Sequence, residues 1–134
     1  MVLGVIEFRL DQRSGVPTYL QLVQQVKQAL RLGILQPGDQ LPTVKEVVGK
    51  LAINPNTVLK AYRELDHEGL AVGRRGIGTF VADVPPSRPP DDWKALRTAL
   101  QRWVDRARAA GLDDENIAAL FADTARAEHI SRVA

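Results

Sequence analysis

Cysteine is absent from all 134 residues, which excludes disulfide staples, thiolate metal sites and cysteine nucleophiles. That absence fits a reducing cytosol, and a cytoplasmic location is the expectation. Histidine is nearly as scarce, with only His67 and His129. Ser14, Ser87 and Ser131 fall in stretches that read as loops or tails, without a partner histidine. No catalytic constellation is visible, so an enzyme is not expected. His67 stands among Glu64, Asp66 and Glu68, but three acids around one histidine at a helix end read as a solvated face rather than a metal site. Asp113-Asp114-Glu115 likewise reads as a helix start, not a carboxylate pair. No cofactor and no metal are expected. No apolar run reaches the roughly 18 residues that span a bilayer, so no membrane segment is expected. The stretch 1–7 lacks the basic region and the length of a signal peptide.

Charge of one sign is also missing. The net charge is only +2, so any case for a polyanionic partner must come from local placement. Residues 1–83 carry 10 Lys/Arg and 8 Asp/Glu, whereas residues 84–134 carry 8 of each, so the excess cation lies in the first part. What remains is a soluble, globular composition, 45% hydrophobic and 25% charged, long enough for a small domain plus an appendage.

The most informative stretch is Ile53-Asn54-Pro55-Asn56-Thr57-Val58-Leu59-Lys60-Ala61-Tyr62-Arg63-Glu64-Leu65. Asn54 is a good N-cap, because its side-chain oxygen can accept from unpaired first-turn amides. Pro55 suits the first helical position, where a missing N–H costs nothing. Val58, Ala61, Tyr62 and Leu65 form one apolar stripe for packing inward. The other side offers Asn56, Thr57, Lys60 and Arg63. Short amide and hydroxyl groups first, then cations, suit a major groove: the first turn meets base edges and later positions meet phosphate.

The neighbours strengthen that reading. Phe8-Arg9-Leu10-Asp11 reads as a short strand or an extended arm within residues 1–16. From Thr18, the positions Tyr19, Leu22, Val23, Val26, Ala29 and Leu30 follow helical spacing, with glutamines on the other side and Gly33 placed to end the helix. Thr43 followed by Glu46 is a capping-box pattern opening a short helix through Val47, Val48 and Leu51. Gly49 weakens that helix by roughly 1 kcal/mol relative to alanine. Ala52-Ile53 then connects tightly into the Asn54 helix, which makes a helix-turn-helix. Gly69 ends the third helix. Leu70-Ala71-Val72 and Thr79-Phe80-Val81 read as strands joined by the basic turn Gly73-Arg74-Arg75-Gly76-Ile77-Gly78, a hairpin wing. Its arginines either point into solvent or fork onto phosphate.

Four prolines in residues 84–90 make a stiff linker and a domain boundary. Residues 91–134 then read as two helices. The first opens at Asp91-Asp92 and carries Trp93, Leu96, Leu100, Trp103, Val104 and Ala107; the second carries Ile117, Leu120 and Phe121, and frays from His129. Two helices bury so many rings and leucines poorly by themselves. Either they fold back on the first domain or they meet a second copy of the chain; the second copy is preferred, with Trp93, Leu96, Leu100, Trp103, Ile117, Leu120 and Phe121 as the dimerisation set. The expected fold is therefore mainly α: a winged helix-turn-helix domain of three helices and a hairpin over residues 17–83, then a two-helix dimerisation tail.

The motifs Pro17-Thr18-Tyr19-Leu20-Gln21-Leu22, Gly33, Leu35, Pro37-Gly38, Leu41-Pro42-Thr43, Asn54-Pro55-Asn56-Thr57-Val58, Lys60-Ala61-Tyr62, Glu68-Gly69-Leu70 and Arg74-Arg75-Gly76-Ile77-Gly78-Thr79-Phe80-Val81, in this order, closely resemble the GntR family of bacterial transcriptional regulators. The short tail and the Asn-Pro-Asn-Thr-Val form resemble its YtrA-type subfamily. The resemblance implies a homodimer on a palindromic double-stranded operator; a repressor is the expectation, with activation left open. It assigns DNA contact to Lys45, Asn54, Asn56 and Thr57, and in the wing to Arg74, Arg75 and Gly78, with the Gly78 amide near a phosphate. Lys45 stands where the family usually has arginine, which implies a phosphate contact in place of guanine readout. Leu59 stands where arginine is frequent; it either touches a thymine methyl or lies off the DNA. Two other uses stay open. A winged helix can serve protein interaction without DNA, and Trp93, Trp103 and Phe121 can line a small-molecule effector pocket between two subunits.

Overall fold

A computed structural model describes residues 6–84 and 92–133, with side chains described through residue 127. Residues 1–5, most of the proline linker (85–90), Asp91 and Ala134 lie outside the described residues. The chain divides into two compact units, Met1–Pro89 and Pro90–Ala134.

In the first unit, α1 (Thr18–Arg31), α2 (Val44–Leu51) and α3 (Pro55–His67) precede a hairpin of β1 (Ala71–Arg74) and β2 (Gly78–Val81). The helix signals in the sequence act as expected. The Thr43 hydroxyl oxygen accepts from the Glu46 amide at 3.1 Å, and the hydroxyl donates to the Glu46 carboxylate at 3.1 Å. Asn54 Oδ1 accepts from the Asn56 amide at 2.8 Å, with Pro55 at the first helical position. Gly69, at φ +77°, turns the chain out of α3, and its neighbour Leu70 donates back to the Leu65 carbonyl at 2.8 Å. The turn between α2 and α3 is made by Ala52 at φ 53°, a left-handed conformation that costs an L-residue roughly 1–2 kcal/mol.

The core is one cluster. Leu22, Val23, Val26 and Ala29 of α1 meet Val47 of α2 and Val58, Ala61, Tyr62 and Leu65 of α3, closed by Ala71 and Val81 of the hairpin and by Leu35 and Leu41. Each fully buried leucine among them contributes roughly 1.5–3 kcal/mol of transfer free energy. The apolar stripe of α3 is therefore spent entirely on this core, which fixes the opposite face outward.

The structure decides one open alternative and corrects one expectation. The segment around Phe8 is not a strand but an extended arm, held by side chains. Gln25 accepts from the Arg9 amide at 2.9 Å and donates to the Arg9 carbonyl at 2.6 Å, so one amide side chain mimics a strand partner. Gln21 does the same for Asp11, at 2.8 and 3.0 Å, and Phe8 is buried in the core. The wing is also tighter than expected. Arg74 lies in β1, opposite Gly78, and only Arg75-Gly76-Ile77 form the turn. The sheet gains a short third edge, because Leu41 donates to the Thr79 carbonyl at 2.9 Å and Val81 donates to Asp39 at 2.8 Å.

The second unit is a helical hairpin of α4 (Trp93–Ala109) and α5 (Asp114–Val133), turned at Gly111 with φ +98°. Asp113 Oδ1 accepts from the Asn116 amide at 2.8 Å and opens α5. The helix runs on to Val133, through the segment read as fraying.

Candidate nucleic-acid interface

Asn56, Leu59, Lys60 and Arg63 occupy the outward face of α3, opposite the buried stripe, and all four are exposed. Their spacing of three and four places them in adjacent rows of one helical surface. No acid interrupts residues 55–63, so the surface is polar and then cationic in the order the sequence suggests. Thr57 is half-buried at the edge of this face. Asn54 is exposed, but its oxygen is committed to the cap; its amide nitrogen remains the group able to donate outward. Lys45 lies exposed at the second position of α2.

Lys60 is more constrained than its sequence suggests. Its ammonium sits 4.2 Å from the centroid of the Tyr19 ring, a cation–π contact that ties α3 to the first turn of α1. Tyr19 was legible only as an apolar helical position; no local signal marks it as a support for a cation.

In the wing, the Arg74 guanidinium lies 5.1 Å over the Phe80 ring, held against its own hairpin. Arg75 stands exposed in the turn. Gly78, at φ +141°, takes a backbone conformation that residues with a side chain rarely adopt, and Gln40 Nε2 lies close by, donating to the Ile77 carbonyl at 3.4 Å. That bond links the turn to the segment before α2.

Tyr62 ties α3 to the segment before α2. Its hydroxyl donates to the Pro42 carbonyl at 2.5 Å, across the start of α2. Burial, with a smaller contribution from the Glu46 carboxylate, pushes the phenol well above its ordinary value of 10.0. The folded state thus favours the protonated form, so this stabilisation is complete below pH 10.0 and is lost as pH rises beyond it. Tyr62→Phe is expected to cost about 1 kcal/mol at neutral pH, from one lost hydrogen bond. It should also flatten the loss of stability above pH 10.0, read from urea midpoints at neutral and alkaline pH. Equal alkaline losses in the two proteins would refute this account.

The dimerisation candidates form a surface of a different kind in the second unit. Ile117, with Ala107, is already buried inside the helical hairpin. Trp93 and Trp103 are half-buried, and the Arg97 guanidinium lies 5.9 Å from the Trp93 ring. Leu96, Leu100, Leu120 and Phe121 stay 44–56% exposed. Leu100 and Phe121 flank an open groove floored by Trp103, Val104 and Ile117.

Among the described residues no group of three histidine or acidic side chains is placed to hold a metal, and Glu68, beside His67, pairs with Lys27 at 2.7 Å. Among the same residues no helix is long and apolar enough to cross a membrane.

Comparison with known proteins bears on the same elements. The model of the gntR family of bacterial regulatory proteins matches residues 18–81, from α1 to the end of the wing. The transcriptional repressor YtrA of Bacillus subtilis is 45% identical over 110 residues, covering 81% of this chain and 85% of that one. Among solved structures, a transcriptional antiterminator from Listeria monocytogenes superposes with a TM-score of 0.59 at 29% identity, covering 91% of this chain and 92% of that one. YtrA from Sulfolobus acidocaldarius, a GntR-family transcription factor, gives 0.51 at 28% identity, covering 89% and 97%. Similarity that runs through the helix-turn-helix and the wing and on across most of both chains means that this chain belongs to the GntR family of DNA-binding bacterial transcriptional regulators.

Proposed function

We propose that the protein is a sequence-specific repressor that binds a palindromic operator as a homodimer, with α3 in the major groove and the hairpin as a flanking wing. One observation carries the reading: the core consumes the whole apolar stripe of α3, leaving Asn56, Lys60 and Arg63 exposed on the opposite face, with Arg75 exposed in the turn of the hairpin. Asn56, Asn54 and Thr57 reach base edges and neighbouring phosphates, whereas Lys45, Lys60, Arg63, Arg74, Arg75 and the Gly78 amide meet the backbone. The α4–α5 hairpin holds two protomers together through Trp93, Leu96, Leu100, Trp103, Leu120 and Phe121, with Ile117 supporting the surface from inside. Two-fold symmetry then presents the two recognition helices to major grooves about one helical turn, ~34 Å, apart.

The name of the Bacillus relative, a transcriptional repressor, supports the direction of regulation. The test is a shift assay on duplexes selected from random DNA, with the upstream region of its own gene included. Retention of one two-fold-symmetric sequence class is expected. Its affinity should fall steeply with salt, as counterions released from phosphates require. Indifference to DNA at moderate salt would overturn the proposal and favour a protein-interaction role for the same surface.

A further inference from the structure

We infer that Leu59 reads the 5-methyl group of a thymine in each operator half-site, next to the base pair met by Asn56. The inference rests on the proposed DNA-binding mode and specifies the sequence class that mode selects. Leu59 is 38% exposed, although the core accepts apolar side chains from four other positions of the same helix. It stands three residues after Asn56 and four before Arg63, so these three form one row along the outward face. A leucine between an amide and a guanidinium gains nothing from water.

In a major groove its surroundings change. The base-pair atom that rewards an aliphatic side chain there is the C5-methyl of thymine; the other base edges present donors and acceptors that leucine cannot satisfy. An amide one turn away matches adenine, whose N7 and N6 can be bridged by a single asparagine. Leu59 and Asn56 together therefore select adjacent A·T pairs. Leucine also excludes the guanine reading that an arginine would give at the same place, since no donor points at O6 and N7.

The test replaces single thymines of the selected operator by deoxyuridine, which removes only the methyl group. At one thymine per half-site, affinity should fall by about fourfold, the value of one buried methyl. In Leu59→Ala that penalty should vanish, while circular dichroism shows an unchanged fold, because the side chain lies outside the core. In Leu59→Arg, selection from random DNA should exchange that thymine for guanine. Full-strength binding to every deoxyuridine-substituted operator would overturn the inference and leave the DNA-binding mode intact. The same penalty in wild type and Leu59→Ala would overturn it too, by assigning the methyl to another residue. Failure to select any sequence would overturn both this inference and the mode beneath it.

Discussion

Glutamate at both Leu100 and Phe121 is expected to turn a dimer into a monomer and to weaken operator binding by about 10²–10⁴-fold, the range in which linked binding exceeds single-site binding. The two side chains flank the same groove on the helical hairpin and are 44% and 53% exposed, so the hairpin itself does not depend on their burial. Its own core is Ala107 and Ile117, near the turn. Carboxylates placed face to face across a two-fold axis would lose apolar contact and add like-charge repulsion, while the residues of α1 to α3 stay unchanged. Sedimentation should therefore report a monomer while circular dichroism retains its helical signal and the shift assay loses its high-affinity complex. A wild-type chain that is already monomeric at micromolar concentration would refute the assignment of this surface. So would a monomeric variant that binds the operator as tightly as before.

Much of the first unit was legible because its signals are local. Asn54-Pro55 marks a helix start through two independent backbone effects, and Thr43 with Glu46 does the same one helix earlier. The apolar stripes of α1 and α3 fixed which faces would be buried, and hence which face of α3 would be left exposed. What escaped depends on partners distant in the chain. Gln21 and Gln25 look like ordinary solvated positions on α1, yet their amides hold the N-terminal arm as a strand would. Gly78 reads as a turn glycine with its amide free for a phosphate; that its own backbone sits at φ +141°, which favours glycine, is visible only in the fold. Ala52 carries no left-handed signature, yet it stands at φ 53° in the turn between α2 and α3. The second unit was legible only as far as its helices and their apolar faces, because a cover for those faces is not encoded in their periodicity.

Lys60 shows how the two kinds of information combine. Sequence places a cation on the outward face; the fold then restrains it over the Tyr19 ring. A lysine held in this way has already lost part of its freedom, so under the proposed binding mode less side-chain entropy remains to be lost on contact with phosphate. The same logic applies to Arg74, stacked on Phe80. The α3 face and the wing thus carry cations positioned by aromatic rings of their own unit, next to an asparagine whose backbone is fixed by the helix cap.

That division of labour gives the last expectation. Asn56→Ala should reduce operator affinity by about 10–100-fold per half-site, the value of one bidentate base contact, and leave random DNA almost unaffected. The helix should survive the change, because the cap is made by the Asn56 backbone amide and the Asn54 side chain, not by the Asn56 side chain. Arg75→Ala should act differently. Arg75 stands on an exposed turn whose closing bond, from the Ile77 amide to the Arg74 carbonyl at 3.0 Å, does not involve its side chain. Its loss should weaken operator and random DNA by the same factor. It should also lower the slope of log affinity against log salt by about 0.9 for each phosphate contact removed, hence by nearly two in a dimer. Asn56→Ala should leave that slope unchanged. Binding curves for both variants on operator and random duplexes, across a salt series, separate a base contact from a phosphate contact. If the two variants shifted both kinds of DNA alike, with a common salt slope, neither role would stand.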